Sequence, residues 1–360
     1  MKSEYFEKKK KKSLWKKILI AFLILIFIGG STLGILLYGP YSGFRDWLIT
    51  VSMTSMTHQW IAELFYSDDM INNVMNNNRV EAADEETDLN SIKVNQEVEV
   101  QENFTSRYEK QILGKNLNKD EYDIYADEQS YRIIRITGKG YTGYLGVVYD
   151  PSKIKTLVTS KLGTSGEYLT KMAKDNNAVL AVNGGRFSDP NYNSNGANPR
   201  GVTFSNDICR TSYEYKSTGG IVGFNKDNVL VLSSTCTKAN AQKLNIRDCV
   251  TCGPFLIVNG KPSAVLGNGG WGTAPRTALG QRKDGIVLML VLDGRMIKRP
   301  GADMDDLIEI MQNYGAYNAA NLDGGTSSVM SVNGKLINDP IDSTGAHKTR
   351  YIATGFGLIE

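Results

Sequence analysis

The sequence predicts an α+β ectodomain, a mixed-sheet, strand-rich fold with few helices, carried on a single transmembrane helix. Three observations predict it. Residues 18–38 read ILIAFLILIFIGGSTLGILLY and hold no charge. From about Tyr131 onward, short β-rich runs alternate with Gly, Asn and Asp turns, as in YRIIRITG, AVLAVNGG, NVLVLSS and IVLMLVLDGR. Within that region only residues 165–178 and 303–314 carry a helical pattern, so strands outnumber helices.

Residues 1–17 form a basic tail, with eight Lys against Glu4 and Glu7 for a net +6. The other 343 residues of the 360 carry 33 basic and 36 acidic side chains, a net −3. A nucleic-acid-binding protein needs a basic body, and this body is slightly acidic. With 41% apolar and 22% charged residues, the chain is neither wholly disordered, nor collagenous, nor a polytopic membrane protein. Residues 18–38, at ~1.5 Å rise per residue, just cross a hydrocarbon core of ~30 Å. The Lys run before them keeps that end in the cytoplasm, so everything after Tyr38 is expected outside the cell membrane. The length of the apolar run and the absence of an A-x-A-like cleavage site speak for an anchor over a cleaved signal peptide.

Residues 39–78 read as a membrane-proximal stem. Trp47, Leu48, Val51, Trp60, Ile61, Leu64 and Phe65 recur loosely at helical spacing. Such a stem either meets the membrane interface or packs on itself or on a second copy. His58 reads as a passive polar residue. Residues 79–130 read as an acidic linker. Over 79–102 eight acidic residues face only Arg79 and Lys93, and apolar periodicity is weak, as in a solvated segment.

Residues 131–360 are the main domain. Its first helix, over 165–178, opens at Ser165. Its second, over 303–314, has one apolar stripe of Met304, Leu307, Ile308, Met311 and Tyr314. Asp303, Asp305 and Asp306 suit that helix's N-terminus and Gly315 its C′ position. All four cysteines, Cys209, Cys236, Cys249 and Cys252, lie here. An even number outside the membrane fits two disulfides, and free buried thiols are the other main reading. Cys249 and Cys252 make one C-x-x-C, but a zinc or redox site would have only His58 and His347 to draw on.

Four Gly-flanked polar turns carry the candidate chemistry: NGGRF at 183–187, PRTALG at 275–280, LDGR at 292–295, and LDGG at 322–325 followed by Thr326, Ser327 and Ser328. The first, third and fourth close apolar strands. A polar residue beside Gly at a strand end can face a cleft, where Gly lets a ligand approach the backbone. Singly, N-G and D-G are ordinary turn dipeptides.

In order and spacing, AVNGGRF, GPFLIVNGK (253–261), APRTALG, VLDGR, the helix before Tyr314 and NLDGGTSSVM resemble the phosphodiester glycosidase family, the type of N-acetylglucosamine-1-phosphodiester α-N-acetylglucosaminidase. The resemblance covers roughly residues 131–360 and reaches bacterial exopolysaccharide-related members. It implies hydrolysis of a sugar-1-phosphodiester, with a carbohydrate phosphate or glycopolymer as substrate. On that reading Asp293 and Asp323 are the catalytic carboxylates, in roles left open. Arg276, Arg295, Arg186 and Arg200 are candidates to neutralise phosphate. Gly324, Gly325 and the N–H groups of Thr326 and Ser327 suit an anion nest, and Asn183 with Gly184 suits the sugar. The turn reads DGGTSS where the family has a glycine-richer DGGGSS, so Thr326 replaces a glycine.

Other chemistries fit less well. Asn191, Asn193, Asn195 and Gly196 mimic half of a calcium loop near Asp189, but Val202 stands where its Glu belongs. No cofactor is therefore expected, and calcium in this loop is the alternative reading. A Ser-His-Asp site would need His347 with Ser327 or Ser328, without a G-x-S-x-G elbow. No G-x-G-x-x-G or Walker pattern follows a strand and opens a helix. The rival from another class is a non-catalytic envelope module that binds an anionic glycopolymer in the same cleft.

Overall fold

The computed structural model describes residues 2–55, 58–94, 104, 106–188, 195–213 and 219–360. The chain divides into two compact units, Met1–Asn78 and Arg79–Glu360.

In the first unit, helix Lys2–Tyr38 contains Trp15–Tyr38, 24 residues long and apolar enough to cross a membrane. Three short helices follow: Ser42–Thr54, Gln59–Phe65 and Asp68–Asn77. They close around Ile49, Ala62, Ile71 and Val74. The Ser67 side chain caps the last of them by accepting the Met70 N–H.

The second unit is α+β and strand-rich. Its main sheet has eight strands, in the order Lys261–Pro262, Phe255–Val258, Ala316–Asn321, Arg276–Arg282, Val287–Asp293, Tyr141–Val148, Tyr131–Gly138, Ile124–Asp127. Two five-stranded sheets pack near it. One is Ile208–Ser212, Val202–Ser205, Ile246–Cys252, Gly220–Asn225, Leu230–Ser233. The other is Lys335–Leu336, Met330–Val332, Ala178–Asn183, Thr354–Ile359, Ile154–Val158. Among the described residues these strand pairings are antiparallel.

The main sheet is buried on both faces. Along Val287–Asp293, Leu288, Leu290 and Leu292 enter one core with helix Met304–Asn313, while Val287, Met289 and Val291 enter a second core with the two smaller sheets. That two-sided burial explains why IVLMLVL is a continuous apolar run without alternation. Helix Met304–Asn313 carries a full capping box of Asp303 and Asp306, all five stripe residues are buried, and Gly315 takes φ +77° just past its end.

Two boundaries differ from expectation. Helix 165–178 is shorter, Leu169–Asp175. Glu167 bridges Ile352 in extended pairing and its carboxylate accepts the Ser160 N–H at 2.8 Å, which holds residues 165–168 out of the helix. The domain also begins earlier than 131. Val80–Glu81 pairs with Ala264–Val265, Thr87 exchanges hydrogen bonds with Leu232, and Val80 and Ile92 are buried. Helix Arg107–Leu113 buries Ile112 completely. Buried Arg132 donates to the carbonyls of Gln111 and Gly114 at 2.7 and 2.9 Å. A few apolar anchors, the buried Thr87 and Gln111 and several backbone bonds thus hold the acidic segment on the domain.

The four cysteines are free. Cys249 and Cys252 lie three apart on one strand, so their side chains leave opposite faces. Cys249 joins the outer cluster with Val202 and Phe204, and Cys252 joins the core between sheets. Strand geometry therefore separates the two thiols of the C-x-x-C.

Candidate active site

Three sheets deliver strand ends to one place. Ala178–Asn183 runs into Gly184–Arg186, Ile246–Cys252 into Gly253–Pro254, and Ala316–Asn321 into Leu322–Ser328. Hydrogen bonds to backbone carbonyls tie these turns together. The Asp323 N–H donates to Gly184 O at 3.1 Å, Arg186 N–H to Thr251 O at 3.3 Å, and Asn321 Nδ2 to Gly253 O at 3.1 Å.

Asn183 is the hub. Its Nδ2 donates to Asp323 O at 2.6 Å, while its Oδ1 accepts from Thr277 Oγ1 at 2.7 Å and Val329 N–H at 3.1 Å. Both amide atoms are committed to the protein, so Asn183 shapes the Asp323 turn and is not placed to hold a sugar. Gly184 and Gly185 are packed tightly. A Cβ at Gly184 would stand 2.7 Å from Thr354 Oγ1, and one at Gly185 would stand 2.6 Å from Thr251 O.

Asp323 is half-buried at the centre of these turns. Among the described residues its carboxylate accepts no hydrogen bond, although its backbone is fixed on both sides. Three arginines lie at these turns, close enough to act on one another. Arg276 is buried. Its Nε donates to Ala302 O at 3.1 Å, and its Nη2 donates to Trp271 O at 2.9 Å and to Gly272 O. Burial lowers its pKa to about 10, which leaves it a cation at neutral pH, and Arg186 and Arg295 are close enough to press it the same way. Arg186 lies over the Trp271 ring at 4.3 Å and donates to Gly253 O at 3.3 Å. Arg295 has φ +64°, an unusual backbone for a long side chain, and its Nη1 donates to Thr326 Oγ1 at 2.6 Å and Ile341 O at 2.9 Å.

The glycines of the last turn lie against these cations, and Gly325 makes room for one of them. A Cβ at Gly324 would stand 3.7 Å from Arg276 Nη1, and one at Gly325 would stand 2.7 Å from Arg295 Nη2. The Gly325 N–H donates to Pro275 O, and Ser327 and Ser328 N–H donate to Gly324 and Gly325 carbonyls. Of the expected nest, only the Gly324 and Thr326 N–H groups are left for a ligand. Thr326 gives Arg295 a hydroxyl partner that a glycine at this position would lack.

Asp293 lies across one strand from Asp323, and Asn338 Nδ2 donates to both the Asp293 carboxylate and the Ser328 carbonyl of the last turn. The register Ala278–Asn321 on one side and Arg276–Leu292 on the other puts Asp323 and Asp293 across strand Arg276–Arg282. Their backbones are two strand spacings apart, about 10 Å. The Asp293 carboxylate is buried and accepts from Asn338 Nδ2 at 2.8 Å and from the Asp339 N–H at 3.2 Å. Burial pushes its pKa up against those bonds. Asp339 in turn holds His347 Nδ1 at 2.7 Å and Arg299 Nη2 at 3.4 Å. Ser327 and Ser328 hydroxyls are buried without a hydrogen-bond partner, and His347 is exposed on Asp339, so no Ser–His pair is made. Arg200 is exposed at the rim, its N–H on Arg186 O at 2.9 Å. Asp189, Asn191 and Asn193 of the calcium-like loop lie outside the described residues. Asn195 donates to Thr164 O and accepts the Ala197 N–H, as an ordinary loop asparagine does.

Sequence reasoning missed Trp271, Thr354 and the Asn338–Asp339 pair. Only GPFLIVNGK, which places Gly253 O beside Arg186, carried a local signal. The rest are single polar or aromatic residues in unremarked loops.

Residues 176–359 match the family model described as phosphodiester glycosidase. The SPbeta prophage-derived uncharacterized protein YomE of Bacillus subtilis (strain 168) is 26% identical over 254 residues, 64% of this chain. The aligned region spans 38% of that relative's length. Among solved structures, the catalytic domain of zebrafish N-acetylglucosamine-1-phosphodiester α-N-acetylglucosaminidase, described as auto-inhibited by its pro-peptide, superposes with a TM-score of 0.53 at 20% identity. That alignment covers 66% of this chain and 85% of the zebrafish domain, a likeness of fold. The family match takes in the NGGRF, PRTALG, LDGR and LDGG turns and runs over half of the sequence, and the chain belongs to the phosphodiester glycosidase family.

Proposed function

We propose that this protein hydrolyses a sugar-1-phosphodiester, N-acetylglucosamine-like, in an envelope or exopolysaccharide glycopolymer. On this reading it is held in the cell membrane by its N-terminal helix, with the second unit outside. The carrying observation is that Arg276 and Arg295 lie against Gly324 and Gly325 of the turn that carries the half-exposed Asp323, with Arg186 close to Arg276.

The charge suits this reaction. Arg186, Arg276 and Arg295 bring three positive charges to the Asp323 turn, with Asp303 acting on Arg276 and Asp342 on Arg295. A phosphodiester carries about one negative charge, whereas the monoester released from it carries about −1.5 to −2 at neutral pH. Positive charge fixed in advance therefore favours the bond-broken state over the bound substrate, which is the differential binding that lowers a barrier. The C1–O bond to phosphate breaks and the monoester leaves with the electron pair. It needs no proton from the protein, so one carboxylate suffices and Asp293 is free to hold the Asn338–Asp339 loop. Asp323 acts on the sugar side, taking the proton of the attacking water or attacking C1 itself. An inverted anomer identifies the first role and a retained one the second.

The test uses the full chain in detergent with UDP-N-acetylglucosamine, following release of free sugar. Wild type releases sugar and Asp323→Asn, with an unchanged circular dichroism spectrum, does not. Equal release by both removes Asp323 from the chemistry, and none from wild type across α- and β-linked sugar phosphates overturns the proposal in favour of a glycopolymer-binding module.

A further inference from the structure

We infer that the stem helices Ser42–Thr54 and Gln59–Phe65 form a lipid-contacting collar, with Trp47, Val51, Trp60 and Leu64 seated in the interface of the outer leaflet. This rests on the anchored reading proposed above, in which Trp15–Tyr38 spans the bilayer.

The position follows from two hydrogen bonds. The Tyr66 hydroxyl donates to Leu37 O at 3.1 Å, and the Tyr38 hydroxyl donates to Phe65 O at 3.2 Å. The Tyr38 and Tyr66 rings also meet edge to face at 6.1 Å. The end of helix Gln59–Phe65 is thus pinned to the last residues of the membrane helix. At ~1.5 Å per residue, the 24 residues of Trp15–Tyr38 reach about 36 Å. That exceeds a hydrocarbon core of ~30 Å, so Leu37 and Tyr38 stand at the headgroup level and the pinned helix stands there with them.

The exposed chemistry matches that level. Trp60 and Leu64 are one helical turn apart and 58% and 64% exposed. Trp47 and Val51 are likewise one turn apart, and Trp47 is 47% exposed against Phe44 at 5.7 Å. The opposite faces supply Ile49 and Ala62 to the small core, so the outward apolar residues are not needed to fold the stem. Helix Asp68–Asn77 has the reverse character. It buries Ile71 and Val74 and exposes Asp68, Asp69, Asn72 and Asn73, as a water-facing helix does. Tryptophan, with an apolar ring and one N–H, is the residue that partitions best to the bilayer interface. Arg45 and Asp46 pair with each other at 2.9 Å, which eases their approach to that layer.

The full chain is reconstituted in phosphatidylcholine vesicles with lipids brominated near the headgroup or at the chain end. Tryptophan emission is compared between wild type and Trp47→Phe/Trp60→Phe, so that Trp15 and Trp271 cancel. The difference emission is expected to be lost with bromine near the headgroup and to survive bromine at the chain end. A difference emission untouched by either lipid overturns the inference. So does a chain that cross-links as a dimer through the stem and separates in the double variant, because the faces then cover each other. Retention of both proteins in vesicles after alkaline carbonate reports the spanning helix separately. Its failure rejects the anchor, whereas retention with no quenching rejects the collar alone.

Discussion

At the scale of single residues, the site depends on where side chains are absent as much as on where they are present. Gly325 has φ +63°, and a Cβ there would stand 2.7 Å from Arg295 Nη2. Gly325→Ala is expected to cost about 1–2 kcal/mol from the left-handed backbone alone and to displace the Arg295 guanidinium. Turnover should fall more than the modest loss of stability explains, which sugar-release kinetics beside chemical denaturation would show. A variant with full turnover would remove Arg295 from the phosphate site. Asp293 and Asp323 teach the complementary lesson. Both end strands with D-G and both read as candidates in sequence. Only the register and the Asn338 and Asp339 bonds separate a carboxylate buried in a loop anchor from one left open.

Among elements, the start of helix Leu169–Asp175 makes a pH-dependent contribution. Burial pushes the Glu167 carboxyl up, but the Ser160 N–H and Lys171 outweigh it and bring its pKa down to about 2. A carboxyl lowered on folding stabilises above its unfolded pKa, near 4.5, and that contribution is lost as pH falls through the folded value. The stability gap between wild type and Glu167→Gln should therefore be full at neutral pH and close between about pH 4.5 and about 2. Urea denaturation at several pH values reads it directly, and a constant gap would mean that Glu167 acts through shape alone. Helix Met304–Asn313 shows the opposite case, an element whose cap, stripe and terminal glycine were all legible locally. Helix Leu169–Asp175 starts late because a long-range bridge to Ile352 competes for Glu167, and no local pattern announces a partner 185 residues away.

For the whole molecule, the early boundary of the second unit has a direct consequence. Residues 79–130 supply Val80, Ile92, Ile112 and the strand Ile124–Asp127, and they accept the buried Arg132 guanidinium. A fragment 131–360 would expose those contacts and leave Arg132 without its carbonyls, a loss of several kcal/mol by the usual cost of unsatisfied buried charge. Fragment 79–360 is expected to give a cooperative thermal transition, and fragment 131–360 a much lower Tm or insoluble protein. Equal Tm values would return residues 79–130 to the status of a linker.

What the sequence determined by itself was whatever is written in neighbouring residues: the apolar span, the strand-rich texture, the capped helix and the ordered set of Gly-flanked turns that marks the family. Those follow from period, propensity and spacing, which act over a few residues. Tertiary structure alone decided how the turns are used. It brought the ends of strands from three sheets together and committed Asn183 to holding the Asp323 backbone. It buried Arg276 under Trp271 and Ala302 carbonyls, and it put Cys249 and Cys252 on opposite faces of one strand. It also showed the acidic segment to be part of the domain, because a few buried side chains outweigh an overall polar composition. Each of these depends on which distant strand becomes a neighbour, a choice made by packing of the whole core.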